Sequence, residues 1–152
     1  MSENFDQAIQ SAVVETFENM TFMEVLHRLQ EDQEPILLEP QGVLLPVTEP
    51  IEGVFWLFMP KNLLTVIAEN VYVMETDEID QQILQDTLAE LLNTIAGKIM
   101  QEALPEDQLF SLGLPQPVEE MQAKPDETMQ KCFFEMQEML FLVGFTGENT
   151  PC

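Results

Sequence analysis

Asp86, Glu90, Asn93 and Gly97 recur at steps of four, three and four. Each residue of an α-helix advances by about 100°, so that spacing sets all four on one face, within a stripe of roughly 60°. The chemistry these residue types allow is narrow. A carboxylate pairs with a cation. A carboxamide cannot abstract a proton, yet its oxygen accepts from a water and its nitrogen donates, so it can hold a water in a fixed direction. Glycine costs ~1 kcal/mol against alanine in a helix interior, a local inconsistency that wants a reason, and close approach of another backbone would be one. Spacing alone describes the polar side of any surface helix equally well, since Asp, Glu and Asn are ordinary occupants of it.

The element that must carry the stripe is a long helix over residues 79–104. Leu84, Leu88, Leu91, Ile95 and Ile99 form its opposite, apolar face and would pack on a sheet. Asp77 is the expected N-cap, with Asp80 three residues on, and Pro105 closes the helix. A first helix is expected over residues 4–28, from Phe5, Ile9, Val13, Phe17 and Met20 at steps of three and four. Short strands are expected at 36–38, 43–48 and 51–59, separated by Pro40-Gln41-Gly42 and Glu49-Pro50. Pro60 reads as the first residue of a shorter helix to residue 72. Residues 109–118, with two prolines and a glycine, read as an edge strand or extended loop, and 119–128 as a loop. Residues 130–135 and 139–146 around Met136-Gln137-Glu138 form a hairpin. The plan is doubled, helix then strands twice over. The expected fold is α+β: one domain over 1–152, with pseudo-repeat halves of about 1–75 and 76–152 and two long helices covering an antiparallel sheet.

Composition narrows the function classes. Five Lys and Arg stand against 28 Asp and Glu, for a net charge of −23. The five cations, Arg28, Lys61, Lys98, Lys124 and Lys131, are scattered and cannot neutralise a run of phosphates, which excludes nucleic acid as a partner. An anionic membrane surface is excluded on the same ground. With 45% hydrophobic residues the chain can nevertheless build a core. Met1-Ser2-Glu3-Asn4-Phe5-Asp6 has neither the basic nor the apolar region of a signal peptide, and no apolar run reaches the ~18 residues of a membrane span, so a cytoplasmic location is expected. Cys132 and Cys152 show no metal-site spacing and are expected as free thiols. His27, beside Arg28, reads as a cation at a helix C-terminus rather than as a base. Asp77, Glu78 and Asp80 lack the spacing of an EF-hand and read as capping residues. The ten methionines fill core gaps or line contacts. Trp56, within Val54-Phe55-Trp56-Leu57-Phe58, belongs to a strand buried on both faces or to a subunit contact.

The string from Asp86 through Glu90 and Asn93 to Gly97 resembles the signature of the CheC/CheX/FliY family of chemotaxis phosphatases. That pattern is Asp or Ser, then Glu four residues on and Asn three further, with a proline about two dozen residues later. Asp86, Glu90 and Asn93 match, Ile95-Ala96-Gly97 is a typical extension, and Pro115 or Pro117 lies near the expected offset. The segment Leu112-Gly-Leu-Pro-Gln-Pro-Val118 resembles the strand carrying that proline. Seventy-five positions earlier, Ser11 and Glu15 fit the same pattern, but the amide position holds Glu18, and Asn19 is rotated by about 100°. CheC-like members carry two motifs and CheX-like members one, on the second long helix. This chain resembles the single-motif, CheX-like kind.

The resemblance implies a substrate and roles. The substrate is the aspartyl phosphate of a CheY-like response-regulator receiver, in chemotaxis or other two-component signalling. Glu90 pairs with the receiver's active-site lysine and Asn93 orients the attacking water, while Asp86 and Gly97 contact the partner. A carboxylate in place of the amide would repel the phosphoryl oxygens, so the first helix, with Glu18, is disabled. The metal, Mg2+, would belong to the receiver, and this chain would bind no cofactor or metal of its own. CheX-like proteins dimerise by joining sheet edges, and the hairpin at 130–146 could offer such an edge. The alternatives are a non-catalytic module of the same fold that docks a receiver or flagellar switch protein, and an acidic scaffold unrelated to phosphorelay.

Overall fold

The computed structural model describes residues 2–28, 39–49, 52–118 and 130–147. Helix α1, Ser2–Thr21, follows the apolar periodicity, burying Ile9, Val13 and Phe17. It stops seven residues before the expected boundary at residue 28. The Thr21 hydroxyl donates back to the Phe17 carbonyl at 2.5 Å, and Phe22 turns into the left-handed region at φ 60. The chain reverses there, and Leu26–Arg28 becomes strand β1. His27 and Arg28 are therefore not helix-terminal cations. His27 lies against the Phe134 ring, 5.4 Å between centroids, and Arg28 pairs with Glu135 at 3.5 Å.

Strands β2, Pro40–Glu49, and β3, Gly53–Pro60, pair antiparallel with Val43 opposite Leu57. Pro60 ends β3 with extended backbone and precedes α2, Lys61–Tyr72, rather than being its first residue. A 3-10 turn, Thr76–Glu78, follows, with the Glu75 and Glu78 side chains capping it reciprocally. Helix α3 runs Gln81–Ala103. Beyond it β4, Ser111–Leu112, and β5, Gln116–Val118, both line the free side of β2, in agreement with the edge-strand reading. Strands β6, Gln130–Met136, and β7, Met139–Gly147, form the expected hairpin. Its turn residues Gln137 and Glu138 have φ of 54 and 63, the mirror-image turn that matches strand twist. The expected strand at 36–38 and loop at 119–128 lie outside the described residues.

All pairings are antiparallel, in the order β1-β6-β7-β3-β2-β4, with β5 also beside β2. Strands from the two halves of the chain interleave: β6 and β7 stand between β1 and β3. The hairpin is thus interior, β6 covered by β1 and β7 by β3, and it offers no edge for a second copy at those pairings.

Three helices cover one face of the sheet. Phe55, Leu57 and Met59 of β3, Phe141, Val143 and Phe145 of β7, and Phe134 of β6 pack there against Phe17, Leu63, Ile67, Leu88, Leu91 and Ile95. The pleat sends alternate residues the other way, where Phe58, Phe133, Leu142 and Val118 cluster with Leu44 and half-buried Trp56. Trp56 stacks on Phe58 at 6.0 Å and donates from Nε1 to Thr146 Oγ1 at 3.0 Å. Strand β3 is accordingly apolar on both faces, as its composition implies. Cys132 is a free, buried thiol under α1, while Cys152 lies outside the described residues. Burial, and then the nearby Asp6 carboxylate, push the Cys132 thiol up from 9.0 to about 12.

Candidate functional site

Helix α3 is set by its first and buried residues. Of the three acids before it, Asp80 is the N-cap, its Oδ1 accepting from the Ile83 N–H at 2.9 Å. Asp77, the expected cap, sits in the 3-10 turn instead, because only Asp80 lies three residues ahead of a free helical N–H. From there Leu84, Leu88, Leu91, Leu92, Ile95 and Ile99 are buried, each worth about 1.5–3 kcal/mol. That sum dwarfs the ~1 kcal/mol cost of a mid-helix glycine. The helix therefore runs unbroken through Gly97.

The opposite face points outward. Asp86, Glu90 and Asn93 are exposed and Gly97 is half-exposed, so the four residues singled out in the sequence do form one solvent-facing row. Helical rise places Asn93 about 4.5 Å beyond Glu90 along the axis, and Gly97 about 6 Å beyond Asn93. The Gln82 amide donates to Asp86 Oδ1 at 2.9 Å and holds that carboxylate. Gln82 was not apparent as a site residue, although its i, i+4 spacing to Asp86 is visible in the sequence. Among the described residues, the exposed side chains of Glu90 and Asn93 have no hydrogen-bond or ion-pair partner. A Cβ added at Gly97 would meet no atom of the described residues within 4 Å.

Helix α1 packs beside α3 and exposes Ser11, Glu15, Glu18 and Asn19. Lys98, next to Gly97, reaches across to α1, its Nζ 2.9 Å from Glu15 Oε1. The pair is open to solvent and worth no more than about 1 kcal/mol, but it ties the incomplete α1 stripe to the complete one. The proline positions separate: Pro115 is half-buried in the link between β4 and β5, and Pro117 is exposed within β5, opposite Val43. Among the described residues, no cluster of three His, Cys, Asp or Glu could hold a metal ion, and no helix is long and apolar enough to cross a membrane.

An acid and an amide are thus displayed on the outer face of a helix whose apolar face packs on an antiparallel sheet. Residues 41–137, more than half of the chain, match the family model described as Chemotaxis phosphatase CheX, and the chain belongs to that family. Solved structures share the fold. A chemotaxis protein CheX from Vibrio vulnificus superposes with a TM-score of 0.77 at 15% identity, covering 95% of this chain and 96% of that one. A CheX from Desulfovibrio desulfuricans gives 0.74 at 13% identity, covering 95% and 99%. A complex of CheX with CheY, BeF3 and Mg2+ from Borrelia burgdorferi gives 0.73 at 16% identity, covering 93% and 96%. Comparison with curated proteins returns no match.

Proposed function

We propose that this protein hydrolyses the aspartyl phosphate of a CheY-type response-regulator receiver. The observation that carries the reading is the outward display of Glu90 and Asn93 on one face of α3, inside the segment that matches the family model. A membership alone would not say which residues act; the exposed acid and amide supply candidates of the right chemistry.

Phosphoryl transfer leaves little covalent work to a protein, and positioning with charge stabilisation dominates. Glu90 pairs with a lysine of the receiver and fixes the docking. Asn93 accepts from a water through its carboxamide oxygen and turns that water in line with the phosphorus–oxygen bond to the aspartate. The water oxygen bonds to phosphorus, the aspartyl oxygen leaves with its electron pair, and the water proton passes to solvent or phosphate. Asp86, held by Gln82, lies on the contact surface one turn before Glu90. Mg2+ is the receiver's own, and this chain contributes no metal or cofactor. The α1 stripe takes no part in hydrolysis, since Glu18 sets a negative charge where the amide is needed.

The test mixes the protein with a phosphorylated receiver and Mg2+ and follows release of phosphate. Asn93→Ala should lower the rate by about 10²–10³, the usual loss for one well-placed polar group, while binding of the receiver stays within a few-fold of wild type. Turnover by Asn93→Ala at the wild-type rate would overturn the assignment. Binding without any hydrolysis by the wild type would leave a docking module.

A further inference from the structure

We propose that Gly97 is a clearance position, where the main chain of the receiver beside its phosphoaspartate lies directly against α3, so that the side chain at 97 sets how closely the two proteins approach. The inference deepens the phosphatase reading and rests on it. The fold itself does not ask for glycine there. Gly42, Gly53 and Gly147 lie so close to the Phe58 and Phe145 rings that a Cβ would collide, and Gly113 is tightly flanked by Pro46. Gly97 differs from all four. A Cβ on it would enter open space, and its φ is not in the left-handed region. Alanine would therefore fit the isolated protein and favour the helix.

No described residue accounts for the glycine, which points to a reason outside the chain. Gly97 sits on the same outward row as Glu90 and Asn93, one turn past the amide and about 6 Å along the axis. A phosphoryl group within reach of Asn93 brings the segment that bears it over this turn of α3. The acidic row of Asp86 and Glu90 selects a partner with a cation at the matching place, as a receiver lysine provides. Lys98, the next residue, is engaged with Glu15 on α1. Glycine thus lets the partner backbone approach to van der Waals contact.

The experiment compares wild type, Gly97→Ala and Gly97→Leu. It measures Kd for a CheY-type receiver loaded with beryllofluoride and Mg2+, kcat and KM with the phosphorylated receiver, and Tm of the protein alone. Gly97→Ala should raise Tm by about 2–4 °C and yet raise Kd and KM about tenfold, what a methyl forced into a packed contact costs. Gly97→Leu should weaken binding further, and kcat at saturation should stay within about threefold. Unchanged Kd in Gly97→Ala, or a fall in its Tm, overturns the clearance role and leaves the phosphatase reading intact. A wild type that binds the loaded receiver but releases no phosphate overturns hydrolysis, and the Kd series still decides the role of Gly97. A wild type that binds no receiver overturns both.

Discussion

In the proposed reaction Glu90 and Asn93 divide the work of the site by charge. The carboxylate would gain from a desolvated ion pair, and the loss of one partner of such a pair costs about 2–5 kcal/mol. Glu90→Ala should therefore raise KM for the phosphorylated receiver by at least tenfold and slow kcat less, the reverse of Asn93→Ala; equal effects on kcat from both variants would mean that the two residues do not act separately. That these residues share a face was legible in the sequence from helical period; that they would act rested on the resemblance of the motif. Lys98 with Glu15 was not, since the partners lie 83 positions apart and only the packing of α1 on α3 brings them together. Cys132 supports a different expectation. Its folded value of about 12 lies above the ordinary 9.0, so between those values the folded protein keeps a proton that the unfolded chain has lost. The stability this thiol contributes is full below pH 9 and falls as pH rises toward 12. Urea unfolding of wild type and Cys132→Ala across that range should show the steeper decline in wild type, and parallel declines would contradict it.

Elements were readable where one local signal dominates and unreadable where pairing decides. Helix α3 has its apolar row in the sequence, although its cap is Asp80 and not the expected Asp77, and the β6–β7 hairpin has its alternation and turn. The end of α1 has neither glycine nor proline. Phe22 takes the left-handed turn against its own preference, and β1 exists because it can pair with β6, a partner more than 100 positions away. Two helices end on such unfavourable residues: Phe22 after α1 and Val73 after α2, the latter at φ 53, and each is 90% exposed. A β-branched residue in that conformation is an outlier, and glycine is the usual occupant. Val73→Gly loses little packing and should raise stability by about 1 kcal/mol, seen as a Tm increase of about 2–4 °C. A lower Tm would mean that Val73 makes contacts in solution that its exposure does not suggest.

The molecule as a whole carries −23 charges, and its proposed partner is itself phosphorylated. With a screening length of ~8 Å at physiological salt, only charges near the contact act strongly there, while at low salt the entire surface contributes. Association with a net-acidic receiver should accelerate as salt is added from about 10 to 150 mM, and with a net-basic one it should slow; stopped-flow mixing distinguishes them. A rhythm of helices and strands was visible in the sequence, but the interleaving of the strands was not, because strand order is a tertiary choice. That interleaving has a practical consequence. If the chain were cut between α2 and α3, neither piece could complete a sheet, since β3 needs β7 and β6 needs β1. Separately expressed fragments should stay idle until they meet and then regain the packed sheet and helices together, which makes this fold a natural scaffold for a split reporter of proximity.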